Sequence, residues 1–218
     1  MNKLDVLYSD NHLIVVYKPA GLLVQGDKTK DSTLIDEVKA YLKERFKKPG
    51  NVYLGLVHRL DRPTSGVVVF ARTSKAAARL SDQFRQKKVK KIYWALLEGK
   101  VPVFGKLIHY IERRGVSSII CNEGYGKRAE LSFRRLHYKK NISLVEVILE
   151  TGRHHQIRVQ FKSAGHPVIG DLRYGATQMF EKGTIALHAY SIEIVHPTTK
   201  EVMTFMSLPP ALWNPYLP

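Results

Sequence analysis

The chain has 218 residues, 44% of them apolar, which is ample for a core and fits one domain over residues 1–218 or two closely packed lobes. Its 35 lysines and arginines outnumber 19 acidic residues for a formal charge of +16, a surplus that points to a polyanionic partner, nucleic acid first, through phosphate contacts and counterion release. No apolar run of 18 residues, basic amphipathic helix or signal-peptide core speaks for a membrane or export. The single Cys121 excludes an internal disulfide and suits a reducing cytoplasm.

In chain order, the first strand expected is Leu13 to Tyr17. A helix follows from Leu34 to Phe46, where Leu34, Ile35, Val38, Tyr41 and Leu42 recur at helical spacing behind Ser32 or Thr33 as N-cap. Lys47-Lys48-Pro49-Gly50-Asn51 stops it. Next come a strand from Val67 to Ala71 and a helix from about Ser74 to Lys87 with Ala77, Leu80 and Phe84 on one face. A strand over Lys90 to Leu97 leads into Gly99 to Gly126, the least readable stretch, where hairpins or insertions are expected. Strands over Ala129 to Leu136 and Ser143 to Leu149 precede a helix from about His155 to Ala164 with Ile157, Phe161 and Ala164 inward, ended by Gly165 and Pro167. A last strand runs from Ala186 to Val195. Strands outnumber helices and few helices separate successive strands, so the pattern favours an α+β fold with a mixed, mostly antiparallel sheet.

The segment His58-Arg59-Leu60-Asp61-Arg62-Pro63-Thr64-Ser65-Gly66 sets one carboxylate among two arginines and turn-forming residues, directly before the apolar run Val67 to Phe70. If it is extended, Arg59 and Asp61 share a face while His58 and Leu60 point the other way. Pro63 and Gly66 bracket a turn at a strand end, where a rigid scaffold usually presents chemistry. On spacing alone, a structural arginine–aspartate pair closing a loop is the better reading.

Five segments in register reverse that preference. The string above is similar to the HRLD-x-x-TSG signature of the RluA family of RNA pseudouridine synthases. Leu7-Tyr8 with Leu13 to Val24, including Lys18-Pro19-Ala20-Gly21, resembles the family's opening strand and lysine-proline turn. Lys91-Ile92-Tyr93-Trp94-Ala95 resembles K-x-Y-x-A, and Thr151-Gly152-Arg153-His154-His155-Gln156-Ile157-Arg158 resembles TGR-x-HQIR. Gly165 to Asp171 with Tyr174-Gly175, then Leu187-His188-Ala189 and His196-Pro197, complete the set. Departures are Pro63 where a polar residue is more usual, His154 where threonine is commoner, and Leu131 where Ala129-Glu130 would lead to a threonine. They bear on substrate preference more than on reaction type.

The resemblance implies a bent central sheet with flanking helices and a catalytic cleft, and isomerisation of uridine in structured ribosomal or transfer RNA without cofactor or metal. It assigns the essential carboxylate to Asp61, a guanidinium pairing with it to Arg158, and the ring against the target base, able to relay the C5 proton, to Tyr93. Arg59 would fill or hold the space vacated by the extruded base, and Lys18 would approach the active site or the RNA backbone. Read without the resemblance, Arg158 with Lys162 four residues on is a solvated basic face, Tyr93 a half-buried strand tyrosine beside Trp94, and Arg59 a phosphate contact or a local partner of Asp61. Basic clusters at Arg85 to Lys91, Arg134 to Lys140 and Arg153 to Lys162 form the expected RNA track, with Arg62, Lys91, Arg153 and His155 among its contacts. Longer relatives carry a small S4-type RNA-binding domain; an opening strand at about Leu4 leaves no room for one here.

Other constellations fail. His154, His155 and His166 lack carboxylates or cysteines at zinc spacing, and Gly124-Tyr125-Gly126-Lys127 is too short for a phosphate loop. Cys121 lacks a methyl-donor fingerprint and reads as a core thiol. The expectation is therefore a cytoplasmic, monomeric RNA pseudouridine synthase. A catalytically silent RNA-binding protein on the same fold is the alternative, and a base-excising glycosylase the third reading.

Overall fold

The computed structural model describes residues 4–26, 31–47 and 49–218. Residues 1–3 and 48, on which the leader reading and the first helix's stop signal partly rest, lie outside the described residues. The chain divides into two compact units: residues 1–89 with 191–207, and residues 90–190 with 208–218. The fold is α+β with a mostly antiparallel sheet and few helices. No helix among the described residues is long and apolar enough to cross a membrane.

The first unit is organised by β2 (Leu13–Lys18) between β1 (Val6–Ser9) and β4 (Ser65–Ala71), with the two-residue β3 (Gly55–Leu56) also on β4, all antiparallel. Every residue of β4 is buried, so its apolar run Val67 to Phe70 is covered on both faces, unlike a half-wet strand that would alternate. Helix α1 (Leu34–Arg45) starts at Thr33. Its hydroxyl accepts from the Asp36 N–H while the Asp36 carboxylate accepts from the Thr33 N–H, a reciprocal cap that selects Thr33 over Ser32. Helix α2 (Ser74–Arg85), capped by Thr73, lays Ala76 and Leu80 on Val15, Val67 and Val69, with Ala77 and Phe84 at the margin. Ile192 and Ile194 of β10 (Leu187–Val195) and Phe205 of β11 (Val202–Met206) join that core.

In the second unit, β5 (Lys90–Glu98), β9 (Ile142–Leu149), β8 (Lys127–Lys139), β6 (Phe104–Arg114) and β7 (Ser117–Cys121) neighbour one another in that order, each pair antiparallel. Helix α3 (Gln156–Ser163) puts Ile157 and Phe161 into a core with Leu96, Leu131, Leu144, Val147 and Trp213.

Two sequence expectations need correction. Gly66 is not a turn residue: the turn closes at Thr64, whose N–H donates to the Asp61 carbonyl at 3.1 Å, and Gly66 lies in β4 opposite Lys18. Ala164 is exposed, and α3 ends one residue before it. The burial of all six residues Gln156 to Phe161 sets aside the solvated basic face that Arg158 suggests when read without the motif. The unreadable stretch is a β6–β7 hairpin, as one of its expected forms.

Candidate active site

The loop carrying Asp61 is tied down at several points within the first unit. The His58 imidazole Nε2 accepts from the Val69 N–H at 3.0 Å and its ring stacks on Phe84, while Leu60, Thr64 and Ser65 are buried. Lys18 is fully buried. Its Nζ donates to the carbonyls of Pro19 at 2.9 Å, Leu22 at 2.7 Å and Arg62 at 3.1 Å, so all three ammonium hydrogens are used. The Arg62 carbonyl also accepts the Gly21 N–H at 2.8 Å, from a residue at φ +87°, a conformation that favours glycine. Burial pushes the Lys18 amine down to about 7; nearby Asp61 opposes the shift and Arg62 adds to it. Lys18 thus holds the lysine-proline turn and the Asp61 loop together. A side chain with no exposed surface and no unused hydrogen is not an RNA-backbone contact; of the two places expected for Lys18, its nearness to Asp61 fits the other. Arg62 is half-exposed, pairing with Asp31 at 3.0 Å and donating from Nε to the Gly21 carbonyl at 3.0 Å; Arg59 is exposed.

The second unit holds Tyr93, on β5 opposite Val147 and packed at the edge of the core, and Arg158 on α3. Arg158 forms a buried two-pronged pair with Asp171, Nε to Oδ2 at 2.6 Å and Nη2 to Oδ1 at 2.9 Å, with 5% and 2% of the side chains exposed. The guanidinium also lies 5.0 Å from the Tyr174 ring centroid. The Tyr174 hydroxyl accepts the Ser118 N–H and sits 2.8 Å from Nδ1 of His155, which is buried and stacked at 3.8 Å on His154. Burial first, then the positive charges of Arg158 and its neighbours, push His155 down to about 2, so the ring is neutral and able to accept from Tyr174. His155 stands at the start of α3 with φ +54°, a strained backbone for a non-glycine residue. It is buried against the rings of His154 and Tyr174, where the expectation was a surface contact with RNA.

Sequence reasoning missed two supports. Asp171 appeared only inside a matched segment, yet it balances the charge of Arg158. Gln156 fixes the preceding loop: its carbonyl oxygen accepts from Thr151 at 2.7 Å and the Arg153 N–H at 2.9 Å, and its amide donates to the Glu130 carbonyl at 3.1 Å. For both, the available signal was their place inside the matched segments Thr151 to Arg158 and Gly165 to Asp171. Lys91 and Arg153 lie near each other; burial lowers the Lys91 pKa, Glu150 opposes that and Arg153 adds to it. The Arg153 Nε donates to the Arg128 carbonyl at 2.9 Å.

A family model described as RNA pseudouridylate synthase matches residues 12–163. An uncharacterised RNA pseudouridine synthase of Synechocystis sp. is 34% identical over 218 residues, covering 95% of this chain and 66% of that protein. Ribosomal large subunit pseudouridine synthase D of Zymomonas mobilis is 34% identical over 93% of this chain and 68% of its own length, and synthase C of Vibrio cholerae 35% over 90% and 62%. The chain therefore spans about two thirds of the length of these curated relatives. Among solved structures, human RNA pseudouridylate synthase domain containing 4 superposes with a TM-score of 0.80 at 23% identity, covering 96% of this chain and 90% of that one, which is a likeness of fold. Human RNA pseudouridylate synthase domain containing 1 gives 0.77 at 26%, covering 97% and 85%.

Proposed function

Because the chain belongs to the RNA pseudouridylate synthase family, we propose that it isomerises uridine to pseudouridine in structured RNA, with Asp61 as the essential carboxylate. The observation that carries this reading is the unbroken family match over residues 12–163, which includes the Asp61 loop, Tyr93 and Arg158. The reaction breaks the bond from C1′ to N1, remakes it from C1′ to C5, removes the proton from C5 and leaves a proton on the freed N1, so that the product is an isomer of the substrate. Nothing is oxidised and no group leaves, so a carboxylate, a stacked ring and a route for one proton suffice.

In this reading Asp61 assists cleavage of the glycosidic bond, Tyr93 stacks on the extruded ring and relays the C5 proton, and Arg158 keeps the carboxylate charged. Arg59 holds the space the base vacates, while Arg62, Lys91 and Arg153 touch the RNA. Residues 1–218 act as one catalytic domain, a cytoplasmic monomer working without cofactor or metal. The Zymomonas and Vibrio relatives are named for the large ribosomal subunit, so ribosomal RNA is the first substrate to try, transfer RNA the second.

The test is tritium release from RNA labelled at uridine C5. The wild type should release tritium, and Asp61→Asn should reduce release by about 10³-fold or more while RNA affinity stays within a few-fold, since the carboxylate serves chemistry and not docking. Turnover retained by Asp61→Asn would refute the assignment. Binding without release would favour the silent RNA-binding alternative, and free uracil a glycosylase.

A further inference from the structure

A cleft of about 380 Å³ lies wholly within the second unit, between the β6–β7 hairpin, the turn into β8 and the loop before α3, and Arg113, Lys127 and Arg153 line it. Its size falls in the range of about 300–1,000 Å³ usual for small-ligand sites. Four other basic side chains of this unit meet acids: Lys106 and Arg128 pair with Glu130, Arg134 with Glu146 and Arg114 with Glu112. Among the described residues, no carboxylate lies within ion-pair distance of Arg113, Lys127 or Arg153, and the one acid on the wall, Glu112, is engaged by Arg114. The concavity therefore keeps three cations whose charge is not balanced locally.

Beside them stands Tyr125, 78% exposed, on the turn whose N–H donates to the Asn122 carbonyl. A ring so exposed is open on its face, and an aromatic face can stack on a nucleobase whatever its sequence. Gly126 makes the turn possible: a Cβ there would stand 2.5 Å from the Cys121 sulfur and 2.7 Å from the Ile111 carbonyl carbon, so only glycine lets the turn lie flush on β6 with Tyr125 and Lys127 on either side. The opposite wall is held in place. The Ser118 hydroxyl contacts the His154 carbonyl at 2.8 Å and its Nδ1 at 2.9 Å, which ties the hairpin to the loop before α3.

We propose that this cleft is a second nucleotide subsite, taking an unpaired nucleotide of the RNA with its phosphates on Arg113, Lys127 and Arg153 and its base against Tyr125. Cations that neutralise phosphate next to a sequence-tolerant stacking ring are the chemistry of single-stranded nucleic acid binding. The subsite rests on the RNA reading above, and it names the hairpin as the part that selects the RNA around the target uridine.

The test uses the full chain and a ribosomal RNA fragment substituted with 4-thiouridine, irradiated and digested, with adducts located by mass spectrometry. An adduct on Tyr125 or its tryptic peptide is expected. In parallel, Arg113→Ala with Lys127→Ala should weaken RNA binding about tenfold and flatten the slope of log Kd against log salt by about 1.5, as loss of two phosphate contacts requires. Tyr125→Ala should weaken binding with the salt slope intact. All three side chains are exposed, so unchanged melting curves will show that the variants fold. Adducts confined to other peptides, or an unaltered affinity and salt slope, would overturn the subsite. Tritium release by the wild type, scored separately, tells a failure of the subsite from a failure of the synthase reading.

Discussion

Among the described residues each unit buries one lysine or arginine, and the two do so by opposite means. In the first, Lys18 gives its three hydrogens to three backbone carbonyls, neutral acceptors that replace water, and burial pulls its pKa down to about 7 against the opposing charge of Asp61. In the second, Arg158 lies flat against a carboxylate, and the two oxygens of Asp171 meet two nitrogens of the guanidinium fork. The difference follows from shape. A compact ammonium can be surrounded by carbonyls at the mouth of a turn, whereas a planar guanidinium matches a planar carboxylate and cannot shed its proton to escape burial. The lysine is thus a device for joining two loops, and the arginine for fixing a charge in a chosen orientation.

The largest effect should come from breaking the second arrangement. Arg158→Met leaves Asp171 charged and buried with its guanidinium gone, at a cost of about 3–5 kcal/mol, while adding Asp171→Leu should recover most of it, because an apolar pair replaces an ionic one at little net cost. Both tryptophans, Trp94 and Trp213, belong to this unit, so urea unfolding followed by their fluorescence reads it directly. A single variant as stable as the wild type would show that Asp171 does not depend on Arg158.

The lysine predicts a dependence on pH instead. Its folded pKa of about 7 lies below the ordinary 10.5, so between those values the unfolded chain binds more protons and stability must rise with pH. The stability of the wild type relative to Lys18→Met should therefore increase steadily from pH 7 toward pH 10, measured by hydrogen exchange in the amides of β2 and β4. A difference constant across that window would mean that Lys18 stays charged throughout. In the same unit, Arg62→Ala should be the smallest change. Its pair with Asp31 leaves 48% and 49% of the side chains exposed, and such pairs contribute about 0–1 kcal/mol, so a melting shift of more than a few degrees would show a larger role for that arginine.

The strands and helices with the strongest periodicity were legible in the sequence to within a few residues, because β2, β4, β5, β9, α1 and α2 each bury an apolar face that their spacing declares. Strand β6 was not: of its eleven residues only Ile111 is buried, so backbone pairing with β7 and β8 defines it and no apolar pattern announces it. Strand β11 hides for the same reason, with Phe205 its one buried residue. The site divides likewise. Asp61, Tyr93 and Arg158 are singled out by motif alone, while the pairing of Arg158 with Asp171 and the fastening of the Asp61 loop by Lys18 are seen only in the fold.

Local sequence by itself determined which segments bury themselves, that the first helix starts at Ser32 or Thr33, and which family the five motifs belong to, since periodicity, capping and motif spacing are all properties of short stretches of chain. Only the tertiary structure decided that Lys18 and His155 face inward, that Asp171 answers Arg158 across 13 residues, and that three cations around Tyr125 stand without acids. Whether a charged side chain is buried, paired or left open depends on groups brought beside it from distant parts of the chain, and no spacing rule along the sequence carries that information.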